Sequence, residues 1–273
     1  MGSGMTVTTE TPMLAPAVSA LDPIDLAAVL DNAARLTRTD RKYLVEHHTA
    51  EALIARVADR YRVLSIQGRR WATYRSTYFD TPGLTTCRDH VQKRRRRWKV
   101  RSRLYVEDQL CRIEVKTTSG SDITVKHVGP SHPRHYGALA GSEAQFVDEV
   151  LRGYGAAVDA AGLQPTAEVS YRRVTLADTA AGTRITLDHD VRAVLDDHHV
   201  WLDPGFVVIE TKGGPRPSAA DRVLGDLGAR PRSFSKYVSA ASLLRADIPD
   251  NDVRAMRGRL LHSARSPYRT EGG

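Results

Sequence analysis

Short segments in which apolar and polar residues alternate dominate the middle of the chain. Such alternation predicts β-strands, because successive side chains of a strand point to opposite faces. Eight segments have this pattern, at residues 41–45, 73–79, 97–106, 112–117, 123–128, 167–176, 183–187 and 206–212. Elsewhere apolar residues recur every three or four positions, which predicts helices. These cover residues 22–36, 49–61, 142–154, 218–228 and 236–244.

These elements favour an α+β fold. Eight strands are enough to close a barrel with room for a ligand. We therefore predict a closed, antiparallel, eight-stranded β-barrel with the helices packed outside.

One strand carries an unusual density of positive charge. Eight of the twelve residues in 92–103 are Lys or Arg, and from Arg97 onward the cations occupy odd positions, opposite Trp98 and Val100. Other strands repeat this split between a charged and an apolar face. The charged positions there are Arg112, Glu114, Lys116, Arg184, Asp188, Glu210 and Lys212.

In a closed barrel with outer helices, the apolar faces pack against the helices and the charged faces line a lumen. Cations confined together repel, so such a lumen suits an anion with several charges together with a divalent metal. Linear phosphates meet this requirement, and Arg binds their oxygens in a bidentate manner. Carboxylates among the cations are either ion-pair partners or ligands of Mg²⁺ or Mn²⁺. Ligation is favoured for Glu210 and pairing is at least as favoured for Glu114 and Asp188.

Composition agrees with an anionic partner. The 273-residue chain has a formal net charge of +8 and a pI near 9.6. Its two cysteines favour neither a disulfide framework nor a zinc site. With no apolar run near 18 residues and no signal peptide, we expect a cytoplasmic protein. We expect a flexible arm with a tag remnant at 1–21, one domain at 22–246 and a basic, flexible tail at 247–273.

Eight segments in order resemble the VTC domain, the polyphosphate polymerase module of the vacuolar transporter chaperone. That domain is a branch of the triphosphate tunnel metalloenzymes, which also include the CYTH phosphatases, and the resemblance covers residues 38–245. The segments are Arg41-Lys42-Tyr43-Leu44, Ser76-Thr-Tyr-Phe-Asp-Thr-Pro82, Lys99-Val-Arg-Ser-Arg-Leu-Tyr105, Ile113-Glu-Val-Lys116, Ser170-Tyr-Arg-Arg173, Arg184-Ile-Thr-Leu-Asp188, Val208-Ile-Glu-Thr-Lys212 and Ser233-Phe-Ser-Lys-Tyr237.

The resemblance implies a triphosphate tunnel fold and transfer of the ATP γ-phosphate to a polyphosphate chain, with Mn²⁺ or Mg²⁺ as cofactor. The residues implied to hold phosphate are Lys42, Arg101, Arg103, Lys116, Arg173, Arg184 and Lys236, with Lys99, Lys126 and Lys212 as additional substrate contacts. The implied metal ligands are Glu210 and Glu114. Any coupling to a membrane would need a separate protein partner.

Three alternatives remain open at this stage. The same tunnel could hydrolyse tripolyphosphate, polyphosphate or a nucleotide triphosphate, although residues 40–46 lack the Glu-x-Glu-x-Lys segment of CYTH enzymes. The chain could instead bind polyphosphate or an inositol phosphate without turnover. Specific binding of nucleic acid, suggested by residues 93–97, is disfavoured because Trp98 is the only nearby stacking candidate.

Overall fold

The computed structural model describes residues 13–33, 39–120 and 124–265. The α-helices in these ranges are α1 Ala15–Ser19, α2 Leu26–Ala33, α3 His47–Arg56, α4 Thr85–Val91, α5 Ser142–Tyr154, α6 Ala219–Asp226 and α7 Lys236–Leu244. The strands are β1 Pro23–Ile24, β2 Thr39–Glu46, β3 Arg62–Leu64, β4 Ala72–Asp80, β5 Arg97–Tyr105, β6 Leu110–Thr118, β7 Thr124–Ser131, β8 Gln164–Asp178, β9 Thr183–Leu195, β10 His198–Leu202, β11 Phe206–Gly213 and β12 Leu261–Arg265. This part of the chain forms two compact units.

The first unit comprises the described residues up to Trp71 together with Val174–Leu187 and Val207–Arg230. Its core is one buried cluster in which apolar residues of β2, β9 and β11 meet those of α1, α3 and α6. Polar side chains of the same strands lie on the opposite face, as the alternation of a strand requires.

The second unit comprises Ala72–Arg173, Asp188–Phe206 and the described residues from Pro231 onward. Here five strands form antiparallel ladders in the order β7–β6–β5–β4–β8. The apolar face of this sheet, with Val100 and Val115, packs with Val147 and Leu151 of α5. The charged face of β5 and β6 therefore points away from α5.

The prediction of eight strands closed into a barrel is wrong in count and in closure. The described strands form a twelve-stranded network whose main path runs from β12 through β10, β9, β8, β4, β5 and β6 to β7. No ladder joins β7 to β12 within the described residues. The additional strands are short, with two to five residues, so alternation could not reveal them. The antiparallel, β-rich part of the prediction is confirmed.

Three helix predictions are confirmed in extent, since α5, α6 and α7 lie where the apolar periodicity placed them. The expected first helix begins late, because Pro23–Ile24 pairs as a parallel strand with β3 and Asp25 then caps the backbone amide of Ala28 at 2.8 Å. Residues 34–36 of that prediction lie outside the described residues, as does residue 123 of the fifth predicted strand. The second helix starts at His47 and ends at Arg56, before Tyr61.

Parts of both predicted extensions have regular structure. Residues 15–19 form α1, and Leu14 and Val18 are fully buried in the first unit. In the predicted tail, β12 pairs antiparallel with β10, with Val200 opposite Ser263. The flexibility predicted for the two extensions stays a prediction, and residues 1–12 and 266–273 lie outside the described residues. Within the described residues, no helix is long and apolar enough to cross a lipid bilayer.

A buried carboxylate fixes the start of α6 in the first unit. Asp221 accepts hydrogen bonds from the backbone amide and hydroxyl of Ser218, at 2.7 and 2.8 Å, and completes a capping box. Its other oxygen accepts from the Tyr43 hydroxyl of β2 at 2.8 Å and from the Thr211 hydroxyl of β11 at 2.6 Å. One side chain therefore joins the helix to two strands.

Replacing Asp221 by Ala should lower the free energy of unfolding by roughly 2–4 kcal/mol, because it removes a cap and leaves buried hydroxyls unpaired. Urea unfolding measures this change. Asp226→Ala, an exposed position at the end of the same helix, is the control and should change stability by less than about 0.5 kcal/mol. Equal losses in the two variants would contradict the role given to Asp221.

Candidate functional site

A group of charged side chains lies on the polar face of the second unit's sheet. Four of its five cations contact its two buried carboxylates and the fifth contacts none, so five positive charges face two negative ones. The cations come from β5, β7, β8 and α7, and the carboxylates come from β6 and β9. The members of this cation group are Arg101, Arg103, Lys126, Arg173, Lys236, Glu114 and Asp188.

Glu114 is held between two of these cations. Its Oε2 lies 2.7 Å from Nε of Arg101 and its Oε1 lies 2.6 Å from Nζ of Lys126. Burial opposes ionisation, yet the charges of Arg101, Arg103 and Lys126 hold the pKa of Glu114 well below its usual range. Both oxygens are engaged and only 3% of the side chain is exposed. Glu114 therefore fits an ion-pair role, and its assignment as a metal ligand stays a prediction.

Asp188 plays the same part on the other side of the group. It accepts from Nε and Nη2 of Arg173 at 2.6 and 2.8 Å, and its Oδ2 lies 2.6 Å from Nζ of Lys236. Burial raises the pKa of this carboxyl, but the two cations overcome the effect and bring the pKa to about 2. Asp188 is therefore ionised over the whole physiological pH range.

Three tyrosines contact the cations without neutralising their charge: Tyr74, Tyr171 and Tyr78. They were not selected as site residues from the sequence. Arg103 is buried and contacts no carboxylate within 4 Å among the described residues. Instead it donates to the hydroxyls of Ser76 and Tyr171, at 3.2 and 2.9 Å. The rings of Tyr74 and Tyr171 stack at 5.3 Å, and Arg173 lies 5.0 and 5.1 Å from their centroids.

Tyr171 is the common neighbour of three cations. Besides its contacts with Arg103 and Arg173, its ring centroid lies 4.6 Å from Nζ of Lys236. The negative face of an aromatic ring attracts a cation but carries no net charge. The ring thus reduces the mutual repulsion of the three side chains while leaving their charge available to an anion.

Tyr78 links the cation group to the interior of the second unit. Its hydroxyl accepts from Nη1 of Arg101 at 2.9 Å, and its ring stacks on Tyr237 at 4.9 Å. Burial alone would raise the pKa of Tyr78, but nearby cations, chiefly Arg101, hold it below its usual value. The Tyr237 hydroxyl in turn donates to the fully buried Asp80 at 2.8 Å. Asp80 also accepts from the backbone amide of Thr86 in α4.

A second group of charged residues lies in the first unit. Glu210 of β11 lies 3.5 Å from Nζ of Lys42 and 3.0 Å from Nζ of Lys212, and Asp40 lies 3.4 Å from the same Lys212 nitrogen. All four side chains are partly exposed, in contrast to Glu114 and Asp188.

The donor set of this second group allows a limited role for a divalent cation. No cluster of three or more His, Cys, Asp or Glu that could hold a metal occurs in the described part of the chain. Mg²⁺ and Mn²⁺ prefer oxygen ligands, and Mg²⁺ is commonly held by one or two carboxylates with phosphate oxygens and water completing its shell. Glu210, whose side chain is 14% exposed, fits such a role together with a phosphate ligand.

Three further residues predicted from the sequence, Lys99, Lys116 and Arg184, belong to neither charged group as defined above. Lys99, on β5, approaches Nδ1 of His90 and the hydroxyl of Ser235, each at 3.2 Å. Lys116 pairs in register with Lys99 on one side and Lys126 on the other, and its side chain is exposed. Arg184 lies on β9 in the first unit and is partly buried.

Tyr171 offers a direct test of the aromatic contacts. Tyr171→Phe removes the hydroxyl that accepts from Arg103 and should weaken binding of inorganic tripolyphosphate about fivefold, whereas Tyr171→Leu also removes the ring and should weaken it at least about tenfold further. Calorimetric titration measures both. Tyr105, whose ring lies 4.9 Å from that of Tyr74, has no cation over its ring among the described residues and gives the matched control Tyr105→Leu. Equal weakening in Tyr171→Leu and Tyr105→Leu would contradict the positioning role.

The cation group should also make anion binding depend on pH. Partial burial, together with Arg101 and Arg103, lowers the pKa of Lys126 to about 8 despite the attraction of Glu114. Lys126 therefore loses its charge as the pH rises through about 8, and tripolyphosphate affinity should fall between about pH 7 and 9. Lys126→Arg keeps the charge and should show a smaller fall. The titration of tripolyphosphate itself affects the wild-type protein and Lys126→Arg equally. Identical profiles of affinity against pH in these two proteins would therefore exclude this contribution of Lys126.

Comparison with solved structures finds distant likenesses. A candidate adenylate cyclase from Bacillus halodurans shares 14% identity at a TM-score of 0.44, over 73% of this chain and 96% of that one. A candidate adenylyl cyclase from Hippeastrum, described as having a dominant triphosphatase activity, shares 14% identity at a TM-score of 0.47, over 74% of this chain and 94% of its own. No curated protein matches the sequence.

A family model gives the decisive comparison. The model of the VTC domain matches residues 37–245, which is more than half of the chain. This range contains every residue of the two charged groups described above. The chain belongs to the VTC domain family.

Proposed function

We propose that this protein is a metal-dependent polyphosphate polymerase that transfers the γ-phosphate of ATP to a polyphosphate chain. The observation that carries the proposal is the cation group, in which five cations lie close together and only two carboxylates offset their charge. A linear polyanion is the ligand that such an excess of closely spaced positive charge fits best. Membership of the VTC domain family supports the same substrate class.

The side chains of the cation group would act by binding and orienting phosphates. Phosphoryl transfer depends mainly on positioning and on stabilising charge on the transferring group, and requires no nucleophilic side chain. Arg103 is the strongest candidate for this role because its charge is opposed by no carboxylate in its hydrogen bonds. Arg101, Arg173 and Lys236 would hold neighbouring phosphate oxygens, with Lys126 at the edge of the group.

The state of the carboxylates favours transfer to phosphate over hydrolysis. Attack by water benefits from a general base, and the efficiency of a base falls as its pKa moves far below the working pH. Glu114 and Asp188 are held ionised by the cations they contact, so both are weak bases. The terminal phosphate of a polyphosphate acceptor is already ionised and needs no base.

Glu210 is the residue that we propose to hold Mn²⁺ or Mg²⁺, which would supply neutralisation of phosphate charge when bound. Lys42 and Lys212, the cations beside Glu210, would contact phosphate oxygens. We also propose phosphate contacts for Arg184, Lys99 and Lys116. A tunnel that contains these residues remains a prediction from the family resemblance.

Incubation with ATP and Mn²⁺, with and without a short polyphosphate primer, tests the proposal. We expect polyphosphate to lengthen on a gel with a matching yield of ADP. Release of free phosphate without chain growth would make the protein a hydrolase. Binding without any turnover would make it a non-catalytic module for polyphosphate or inositol phosphate.

Two variants test the residues assigned. Arg103→Gln should lower kcat/KM by roughly a hundredfold or more, as loss of a donor to developing charge usually does. Glu210→Ala should abolish metal-dependent turnover while thermal unfolding stays cooperative. Arg56→Gln, an exposed position at the end of α3, is the charge control and should retain activity. Full activity in Arg103→Gln or Glu210→Ala would contradict the assignment.

A further inference from the structure

The cation group does not include the most basic stretch of the sequence. Residues 93–96, which we call the basic loop, connect α4 to β5 and consist of four consecutive cations, Lys93, Arg94, Arg95 and Arg96. All four are exposed. None of them lies within 4 Å of a carboxylate in the described part of the chain, so their charge faces solvent without an ion-pair partner.

The basic loop is held in a defined conformation. Arg96 lies over the ring of Tyr154 at 4.8 Å and donates to the backbone carbonyl of the same residue at the carboxyl end of α5, where a cation is favoured. The backbone amide of Arg94 donates to the carbonyl of Asp89 at 2.9 Å, and Arg97 donates to the carbonyl of Arg94 at 2.8 Å. Arg96 therefore serves as an anchor. The three preceding cations, at residues 93–95, are exposed on a backbone that these hydrogen bonds hold in place.

Lys93 stands at a position that favours a different residue. Its φ of 54° is left-handed, and such a conformation after a helix is usually occupied by Gly. A side chain there costs about 1 kcal/mol, and the loop retains a lysine.

The basic loop continues the row of cations on β5. Arg97, Lys99, Arg101 and Arg103 alternate along this strand, so they share one face and recur about every 6.6 Å. The row covers about 20 Å from Arg103 to Arg97. Arg96, the last residue of the basic loop, directly precedes Arg97 in the chain. A linear anion bound along this face would reach the loop once it exceeds the length of the row.

We propose that the basic loop is a second binding surface for polyphosphate, which contacts phosphates beyond those held by Arg101 and Arg103 and so favours long chains over short ones. The inference rests on the proposed function and specifies its substrate. A nucleic acid fits less well because the loop offers no stacking surface. Trp98 is buried, with 7% exposed, and the ring of Tyr154 is covered by Arg96.

The test compares tripolyphosphate with long-chain polyphosphate in the full-length protein. In the variant K93Q/R94Q/R95Q, which leaves the anchor Arg96 intact, affinity for the long chain should fall roughly tenfold to a hundredfold, because three exposed ion pairs are lost. The slope of log affinity against log salt should fall by roughly 2. Tripolyphosphate affinity should change by less than about threefold. The control R216Q/R222Q/R230Q removes the same charge from exposed positions elsewhere and should leave both affinities near the wild-type values.

Each other outcome overturns the inference. Unchanged long-chain binding in the loop variant would remove the loop from the substrate surface while leaving the proposed function intact. Equal weakening of both ligands, or equal effects of the loop variant and the control, would mean that only the general field of the protein is involved. Loop-dependent binding of single-stranded RNA that polyphosphate cannot displace would assign the loop to nucleic acid. A wild-type protein that binds neither phosphate ligand would overturn the proposed function as well.

Discussion

Repulsion between like charges is the constraint on which the second unit depends. Its sheet face gathers five cations where burial weakens the screening by water. Full neutralisation by carboxylates would remove the repulsion, but it would also remove the attraction for an anion. The protein instead pairs each of two carboxylates with two cations, and it holds Arg103 through hydroxyls and aromatic rings. Positive charge is thereby retained at defined positions.

Aromatic rings and carboxylates contribute differently to this arrangement. Glu114 and Asp188 fix the direction of their partners through short, charged contacts and consume part of the positive charge. Tyr74 and Tyr171 fix position through their ring faces and consume none. In the first unit Glu210 is also shared between two lysines, but its side chain is 14% exposed, whereas that of Glu114 is 3% exposed. The greater exposure of Glu210 is the reason that we propose it, rather than Glu114 or Asp188, as the residue that holds a metal.

The sequence predicted the elements whose pattern is long and strong. The helix at Ser142–Tyr154 and the alternating cations of β5 were both recognisable, because thirteen and nine residues are enough to define a period. Strands such as β1 and β12 were not recognisable, since two to five residues fit several patterns and their pairing is decided by distant segments. The alternation also could not show which face packs on a helix, and the structure answers this through Val147 and Leu151 of α5.

The charged residues of the candidate site were selected from the sequence, whereas its uncharged residues, the tyrosines, were not. Arg101, Arg103, Arg173 and Lys236 were selected from their motifs, but a tyrosine in a strand is usually explained by packing alone. The signal was available in part, because Tyr78 and Tyr171 stand inside two of the motifs that indicated the family. The ion pairs of Glu114 could not be predicted for a related reason. Sequence shows that a carboxylate is near cations, but not that both of its oxygens are engaged.

The start of α7 has a consequence for how this chain can change during evolution. Lys236 and Tyr237 are consecutive, and one contacts Asp188 while the other contacts Asp80. Because neighbouring helical residues differ by about 100° in direction, only one helical register satisfies both contacts. Insertions and deletions should therefore accumulate in the segment before Ser235 and be excluded from the helix itself. The length of that segment is free to drift between relatives while the Lys-Tyr pair stays together.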